Sequence, residues 1–192
     1  MRNFLILFND IPIDTASVKS GDNYPEVITA ARCVNVGLCI SGNLRRDVVV
    51  SLAKGTQDDL KIVSFPGVNL KRVSPDERSI SFFLMKAFSI ANELVMDSFE
   101  TMDNGIAVRR SSMENFIESL SPNRIYVATP ETTTSVINDA GFEKSLLIYS
   151  IGKQLDSHRI DTKWIREELP QYPHPERFIL EVNMNMDMKK AS

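Results

Sequence analysis

The chain has 192 residues, of which 43% are hydrophobic and 24% are charged, and its formal net charge at pH 7 is −3. This composition is typical of a globular protein, and the slightly acidic balance excludes nucleic-acid binding through overall charge, so such binding would need a local basic patch. No apolar run approaches the length of a membrane span and the first residues lack a signal-peptide pattern, which indicates a single cytoplasmic domain over residues 1–192.

The cysteines and histidines argue against a metal site. Cys33 and Cys39 fall within one predicted helix at a spacing that does not place them side by side, and His158 and His174 are distant from them in the chain. This pattern predicts reduced thiols in the core and no structural zinc, so we expect no metal at the functional site.

The N-terminal third predicts strands separated by one long helix. Three strands are predicted in this part of the chain, over residues 4–8, 48–52 and 61–65, with a loop over 11–23 and a turn over 56–59. Pro25 suits the first position of a helix and Glu26 suits its positive end. We expect this helix to run to about Ser41 and to end at Gly42.

The clearest helix prediction begins at Ser74. Ser74 and Glu77 form a capping box, with Pro75 at the first helical position. Apolar residues then recur at helical spacing: Ile80, Phe83, Leu84, Ala87, Phe88, Ala91, Leu94 and Val95. Phe82 and Met85 lie on a second face, for which packing inside the protein is the favoured interpretation and a homodimer contact is the alternative.

The second half of the chain continues the alternation of strands and helices. Ser111 and Glu114 form a second capping box and predict a short helix. Strands are predicted over residues 106–108, 124–128 and 146–151, and a short helix over 160–169. The periodicity of residues 178–186 fits both a strand and a helix. Strands that alternate with helices predict an α/β fold with a mainly parallel sheet.

Four motifs carry a resemblance to a known family. They are Arg32-Cys33, Leu44-Arg45-Arg46-Asp47-Val48-Val49, Leu70-Lys71-Arg72-Val73-Ser74-Pro75-Asp76-Glu77-Arg78 and Val108-Arg109-Arg110. In order and approximate spacing they are similar to the archaeal tRNA pseudouridine N1-methyltransferase (TrmY) family of the SPOUT superfamily. The resemblance is strong over residues 1 to about 128, and the long motif that ends at Arg78 is its most specific part.

The resemblance implies a fold and an activity. Members of the family have a SPOUT-type α/β fold whose C-terminal part forms a deep trefoil knot, a rare exception to unknotted chain topology. They act as homodimers, bind S-adenosylmethionine in the knot, and methylate N1 of a pseudouridine in the T-arm of tRNA. For the ambiguous C-terminal segment the resemblance favours a helix, which we expect over residues 175–188.

The resemblance also implies roles for individual residues. Asp47 is the candidate acceptor of the N1 proton, oriented by Arg46, although neighbouring arginines weaken a carboxylate as a base. An ion pair that braces the strand start is an equally weighted interpretation of Asp47. Six residues are expected to contact the cofactor: Ala128, Gly152, Lys153, Leu169, Pro170 and Phe178. Five basic residues are expected to contact RNA phosphates: Arg45, Lys71, Arg72, Arg109 and Arg110.

The late loops depart from the family pattern. Where the family has Gly-Asp-His-x-Gly, this chain keeps Gly152 but has Lys153 next to it and Asp156 at the second glycine position. Glycine lets the backbone approach a ligand closely, so its replacement matters. The connection before Phe178 is also shorter, which leaves open whether the family's short strand is present. The alternative function is therefore a catalytically degenerate homodimer that binds RNA or a small ligand without methyl transfer.

Overall fold

The computed structural model describes residues 1–128, 130, 142–151, 166–168 and 172–191. The strands in chain order are β1 (Arg2–Phe8), β2 (Cys39–Ile40), β3 (Asn43–Leu44), β4 (Val48–Thr56), β5 (Asp59–Pro66), β6 (Ser98–Thr101), β7 (Ala107–Ser111), β8 (Arg124–Ala128), β9 (Ser145–Ser150) and β10 (Arg166–Glu168). The helices are α1 (Thr15–Ser20), α2 (Pro25–Leu38), α3 (Glu77–Glu93), α4 (Met113–Leu120) and α5 (Pro175–Ala191). The predicted α/β class is confirmed.

Most of the described strands form one mixed sheet. It has eight strands in the order β10-β8-β9-β1-β4-β5-β7-β6, and β2 and β3 form a separate hairpin. Neighbours are parallel from β10 to β4, as predicted. From β4 to β6 the neighbours are antiparallel. Short turns join β4 to β5 and β6 to β7, whereas α3 and β6 lie between β5 and β7 in the chain.

The first strand is buried on both of its faces. Phe4, Ile6 and Phe8 belong to a core that includes side chains of α2, α3 and α5. Leu5 and Leu7 belong to a second core that includes side chains of α4. Successive side chains of a strand point to opposite faces, so a strand covered on both sides has an uninterrupted apolar sequence.

Helix α3 begins two residues later than the predicted capping box requires. Its N-cap is Asp76, whose Oδ1 accepts a hydrogen bond from the Ser79 N–H at 2.8 Å. Ser74 and Pro75 therefore lie outside the helix, and that part of the prediction is wrong. Serine and aspartate suit an N-cap about equally, so the local pattern does not choose between them.

The second capping box is also displaced. The N-cap of α4 is Ser112, whose Oγ accepts a hydrogen bond from the Asn115 N–H at 3.1 Å. Ser111 is instead the last residue of β7, where it pairs with Leu60 of β5. Pairing with the neighbouring strand thus extends β7 at the expense of the helix.

The first long helix ends at Leu38, before the predicted Ser41. The chain then turns at Gly42, whose φ is +72°, and β2 pairs with β3. Glycine adopts this left-handed backbone conformation without steric cost. Cys39 consequently lies in β2 and not in the helix. Both cysteines are free thiols, as predicted, but only Cys33 is buried in the core and Cys39 is half-buried.

Helix α1 and strand β6 are among the elements that were not predicted. Helix α1 lies within the segment expected to be a loop, and the Asp14 Oδ1 caps it by accepting hydrogen bonds from the Ala16 and Ser17 N–H groups. Strand β6 pairs with β7 at the end of the sheet. Both segments are short and largely exposed, so they carry little hydrophobic periodicity.

The predictions for the C-terminal region have mixed outcomes. Residues 166–168, predicted as helix, form β10 and pair in parallel with β8, so that prediction is wrong for these residues. Pairing with a neighbouring strand overrides the weak local preference. The sequence left open whether a short strand precedes the last helix, and β10 is such a strand. Helix α5 confirms the choice of helix over strand for 175–188.

Candidate active site at the two rims of the sheet

The predicted site residues lie at opposite ends of the parallel strands. We call the end at which β1 and β4 begin the amino rim, and the end at which β8, β9 and β10 finish the carboxyl rim. Asp47 immediately precedes β4, whereas Ala128 is the last residue of β8. Ligands of parallel α/β sheets usually bind beyond the carboxyl ends of the strands.

Segments that are distant in the sequence meet at the amino rim. The last residue of β5, Pro66, pairs with Val49 near the start of β4. The first residue of β7, Ala107, pairs with Ser64 of β5. The connections that leave β5 and enter β7 therefore emerge beside the start of β4. Three segments share this surface: 45–47, 67–76 and 102–106.

Asp47 belongs to a network of four charged residues. The Arg2 Nη2 lies 3.1 Å from the Asp47 Oδ2 and 3.8 Å from the Asp187 Oδ1. The Arg45 Nη2 lies 2.8 Å from the Asp187 Oδ2. The Arg2 side chain is 2% exposed and the Asp47 side chain 41% exposed. The carboxylate of Asp47 is thus anchored from the protein side and remains reachable from solvent.

Arg45 links the C-terminal helix to the amino rim. Its Nε and Nη2 donate to the Asp187 Oδ2 at 3.2 and 2.8 Å, and its Nη1 donates to the Val36 carbonyl at 3.3 Å. Its side chain is only 12% exposed. In this arrangement the guanidinium joins α5 to the end of α2, and its expected contact with RNA stays a prediction.

Arg46 is exposed and lies on the same surface as Asp47. Its Nη1 donates to the Gly67 carbonyl at 2.9 Å. The backbone at Gly67 is so close that a Cβ there would lie 2.0 Å from the Arg45 carbonyl oxygen. Only glycine permits this approach, and it brings Arg46 and Asp47 together with the segment that follows β5.

Lys71 and Arg72 are exposed at the amino rim. The Lys71 N–H donates to the Asn104 carbonyl at 2.9 Å, which joins the segment after β5 to the turn before β7. Arg72 has a φ of 55°, in the left-handed region. Neither side chain has an ion-pair partner within the described residues, so both cations are available to an anionic ligand.

The two neighbouring arginines of β7 differ in their contacts. The Arg110 Nε and Nη2 donate to the two carboxylate oxygens of Asp59 at 2.8 and 2.7 Å. These hydrogen bonds hold the pKa of Asp59 below its usual value. Arg109 instead lies near two aromatic rings, 5.5 Å from the centroid of Phe99 and 6.0 Å from that of Phe116. Arg110 is therefore held in an ion pair with Asp59, whereas Arg109 packs beside aromatic rings, and both arginines are half-buried. The expected contacts of both with RNA stay predictions.

Aromatic side chains pack beneath the carboxyl rim. Ala128 is buried and pairs with Tyr149 of β9, whose hydroxyl donates to the Tyr172 carbonyl at 2.6 Å. Phe178 is fully buried, with ring centroids 6.0 Å from Phe4 and 5.3 Å from Tyr172. Four residues predicted to contact the cofactor lie outside the described residues: Gly152, Lys153, Leu169 and Pro170.

One buried polar group tests whether this rim suits an adenosyl cofactor. The Glu176 Oε2, in the first turn of α5, is enclosed and has no hydrogen-bond partner within the described residues. Burial, and then the charge of Glu176, raise the pKa of the Cys33 thiol and of the Tyr149 hydroxyl. A carboxylate acceptor close enough to affect Tyr149, the strand partner of Ala128, fits a ligand that carries hydroxyl or ammonium donors.

The two rims are well separated within one chain. β1 has seven residues. At roughly 3.3 Å per residue, a strand of this length spans about 20 Å. The structure therefore brings Asp47, Arg46, Lys71 and Arg72 to one end of the sheet and leaves Ala128 at the other.

Sequence reasoning missed two residues of the charge network. Arg2 is the first residue of β1, and its burial is visible only once β4 and α5 are in place. Asp187 lies near the end of the chain, between Met186 and Met188 of α5. No local pattern points to either residue, because their partners come from the opposite end of the sequence.

Within the described residues, no helix is both long and apolar enough to cross a bilayer. In the same part of the chain, no group of three or more histidine, cysteine, aspartate or glutamate side chains is arranged to hold a metal ion.

Comparisons with known proteins give a consistent result. A family model described as "Putative SAM-dependent RNA methyltransferase" matches residues 1–145. The tRNA (pseudouridine(54)-N(1))-methyltransferase of Haloferax volcanii is 28% identical over 154 residues, which cover 78% of this chain and 75% of that protein. The corresponding enzyme of Natronomonas pharaonis is 26% identical over 140 residues, covering 72% of this chain and 69% of that protein.

A further relative and a solved structure extend the comparison. The Methanopyrus kandleri protein of the same name is 30% identical over 129 residues, covering 66% of this chain and 61% of that protein. The crystal structure of Archaeoglobus fulgidus Nep1 bound to S-adenosylhomocysteine matches over 100% of both chains, with a TM-score of 0.56 and 12% identity. At this identity the match to Nep1 is evidence for the fold alone.

Proposed function

The chain belongs to the SAM-dependent RNA methyltransferase family whose model spans residues 1–145, and it has a SPOUT-type α/β fold; we propose that it transfers a methyl group from S-adenosylmethionine to N1 of a pseudouridine in the T-arm of tRNA. The observation that carries this proposal is the amino rim, where Arg46 and Asp47 share one exposed surface with Lys71 and Arg72. The position in the relatives' printed names, pseudouridine 54, supports the T-arm.

The chemistry assigns separate roles to the charged residues of the amino rim. Methylation of N1 forms an N–C bond and releases the N1 proton, so an acceptor beside N1 assists the reaction. The Asp47 carboxylate accepts this proton and passes it to water, while the Arg2 Nη2, 3.1 Å from its Oδ2, fixes its orientation. Arg46 positions the nucleotide. S-adenosylmethionine, when bound, supplies the electrophilic methyl group.

Lys71 and Arg72 supply the charge for RNA binding. Both cations are exposed on the surface that also carries Asp47. A protein with a net charge of −3 has to concentrate positive charge where the phosphates bind, and this surface does so. Binding through a few phosphate contacts weakens as the salt concentration rises, so the affinity for RNA is expected to be salt-dependent.

The separation of the rims supports a homodimer. Asp47 at the amino rim and Ala128 at the carboxyl rim are about 20 Å apart, by the length of β1 at about 3.3 Å per residue. In-line methyl transfer needs donor and acceptor in contact. A two-fold dimer that places the carboxyl rim of one copy against the amino rim of the other completes the site twice.

The path of the C-terminal region supports a trefoil knot. β10 lies at the end of the sheet, beside β8. α5 packs at the centre, where the Asn183 Nδ2 donates to the Gly37 carbonyl at 3.1 Å and Phe178 contacts Phe4 of β1. The chain therefore has to return from the end of the sheet to its middle, as threading through an earlier loop requires.

A reducing compartment fits the cysteines. Cys33 is buried and Cys39 half-buried, and both are free thiols. Free thiols are typical of cytoplasmic proteins, where tRNA is modified, and we propose that location.

A methyl-transfer assay with two matched RNAs tests the proposed function. Both are T-arm hairpins of one sequence, and they differ only in having pseudouridine or uridine at the acceptor position. Uridine has no N1–H, because its N1 forms the glycosidic bond. We expect labelled methyl from S-adenosylmethionine in the pseudouridine RNA alone, located on that nucleoside by mass spectrometry.

Two results would contradict the proposal. One is equal labelling of both RNAs, which would mean that the acceptor is not N1 of the pseudouridine. The other is the absence of S-adenosylmethionine binding by calorimetry at millimolar cofactor together with the absence of labelling, which would favour an RNA-binding protein without methyl transfer.

A further inference from the structure

A pocket lies at the amino rim beyond the residues assigned to the reaction. It has a volume of about 470 Å³ and is formed by α3, by the end of β6 and by the segment after β5. Arg72, Phe83, Lys86, Glu100, Met102 and Asn104 line it. It therefore contains one predicted RNA contact, Arg72, among residues that the sequence had not assigned to any ligand.

Two connecting segments hold one wall of this pocket in place. The Lys71 N–H donates to the Asn104 carbonyl at 2.9 Å, and the Gly105 N–H donates to the Met102 carbonyl at 2.8 Å. Gly105 has a φ of +86°, and a Cβ at that position would lie 2.2 Å from the Asn69 carbonyl oxygen. Only glycine fits this contact, and together with the two hydrogen bonds it defines the position of the wall before a ligand arrives.

An aromatic surface continues from the pocket to solvent. The rings of Phe82 and Phe83 meet edge to face, with centroids 5.4 Å apart, and Phe82 is 39% exposed. The Lys86 Nζ lies 4.5 Å from the centroid of the Phe82 ring. Aromatic rings beside a cation provide the stacking surface and the charge with which proteins bind unpaired bases.

The charges of the pocket discriminate between ligands. Arg72 and Lys86 are cations, whereas Glu100 and Asp103 are carboxylates in the same lining. A simple anion would gain from the first pair and be repelled by the second. A nucleotide carries a phosphate for the cations and base N–H groups for the carboxylates, so it matches both pairs.

We propose that this pocket binds one nucleotide of the RNA substrate next to the one that is methylated. Its base stacks against Phe82 and Phe83, its phosphate contacts Arg72 and Lys86, and Glu100 or Asp103 accepts a hydrogen bond from the base. The turn before β7 lies two to three strands from the start of β4. At about 4.8 Å per strand the pocket is roughly 10–15 Å from Asp47. The inference rests on the proposed function, since it assumes an RNA substrate.

Substitution of the two cations is the first test. In Arg72→Gln/Lys86→Gln we expect RNA affinity to fall about tenfold and the slope of log K against log salt to decrease by about one to two. KM for RNA should rise, and this rise should account for most of the loss in kcat/KM. Lys19→Gln/Lys144→Gln removes two exposed cations elsewhere and is the charge-matched control.

Photocrosslinking gives a second test that needs no turnover. T-arm hairpins with a photoreactive pyrimidine at single positions are irradiated with the wild-type protein, and crosslinked peptides are identified by mass spectrometry. We expect a flanking position to label the peptide that contains Phe82 and Phe83 or the one that contains Met102. Phe82→Ala, at an exposed side chain, should reduce that product without unfolding the protein.

Three outcomes other than the expected ones also decide whether the pocket binds a nucleotide. Wild-type affinity and salt slope in the double variant, with crosslinks elsewhere, overturn the nucleotide pocket even if methyl transfer is normal. Unchanged RNA affinity with loss of the dimer in light scattering overturns it as well and makes the pocket a contact between copies. Crosslinks at the pocket without methylation uphold the pocket and refute the proposed reaction.

Discussion

The two rims of the sheet are held together by different forces. At the amino rim, Arg2 and Asp187 come from opposite ends of the chain and meet Asp47 and Arg45 through ion pairs of 2.8 to 3.8 Å. Under the carboxyl rim, rings pack around Phe178, which is fully buried. Half-exposed ion pairs are weak and salt-sensitive, whereas a buried aromatic side chain contributes several kcal/mol.

The two rims therefore differ in what their residues can do: the candidate catalytic carboxylate is at the amino rim, and the side chains that stabilise the fold are under the carboxyl rim. Asp47 is held by one buried arginine and remains 41% exposed, so it can meet a substrate. Phe178 has no such access, and its ring joins α5 to β1. Substitutions in the packed core under the carboxyl rim should therefore change stability more than activity. Substitutions at the amino rim should change activity more than stability.

Phe178→Ala should have the largest effect, because it removes a ring from the centre of the core. We expect the free energy of unfolding, measured in urea, to fall by about 3–5 kcal/mol. Leu180→Ala, in the same helix but 40% exposed, is the control and should cost less than about 1 kcal/mol. Similar losses of unfolding free energy in the two variants would contradict tight packing around Phe178.

Asp47→Ala should affect catalysis more than stability. Loss of a positioned proton acceptor is expected to lower kcat by about 10²–10³-fold with RNA affinity nearly unchanged. The thermal midpoint should also fall, because the buried Arg2 loses its nearest carboxylate, but this loss is smaller than the loss of activity. Asp22→Ala removes an exposed carboxylate outside the three segments that form the amino rim and should leave kcat unchanged. A large loss of stability with normal kcat would instead support an ion pair that braces the strand.

Arg2→Met tests whether buried charge holds the amino rim. The substitution leaves Asp47 and Asp187 without this cation, but both carboxylates are more than 40% exposed and can be hydrated. We expect a loss of about 1–3 kcal/mol in urea unfolding. Arg32→Met, at an exposed position of α2, should be neutral. An equally stable Arg2→Met variant would show that the network adds nothing to the fold.

Asp59→Asn should have the smallest effect, and one that depends on pH. Hydrogen bonds from Arg110 lower the pKa of Asp59 in the folded state, so the carboxylate contributes stability above its unfolded pKa of about 4 and loses it as pH falls through the folded value. At pH 7 the variant should melt lower by about 3 °C at most, because the pair is partly exposed. The difference should vanish in acid; a constant difference would exclude this origin.

Elements with strong periodicity could be predicted from the sequence, and their ends could not. β1, α3 and α5 are buried along a stripe or on both faces, and hydrophobic spacing reveals such elements. The starts of α3 and α4 were misplaced because neighbouring serine and aspartate residues are equivalent caps until the chain path is known. β10 was misassigned because its only strand signal is its pairing with β8.

The candidate site was predictable only where its residues are neighbours in sequence. Arg46-Asp47 and Lys71-Arg72 are short motifs, and the antiparallel β5 brings both to one rim. Arg45 and Arg110 have the same charge as their neighbours, so the sequence does not distinguish them. In the structure Arg45 forms an ion pair with Asp187, and Arg110 forms one with Asp59. Those contacts depend on α5 and β5, which no motif specifies.

A mixing experiment tests most directly the claim that one active site draws on two chains. Asp47→Ala inactivates the amino rim, and Gly152→Val is designed to block the cofactor side, with loss of S-adenosylmethionine binding checked by calorimetry. Each variant alone should be inactive on the pseudouridine hairpin. After subunit exchange in an equal mixture, half of the dimers are mixed, and each of these has one complete site. We predict recovery of about a quarter of wild-type activity. A mixture that exchanges subunits and stays as inactive as its parents would contradict the account.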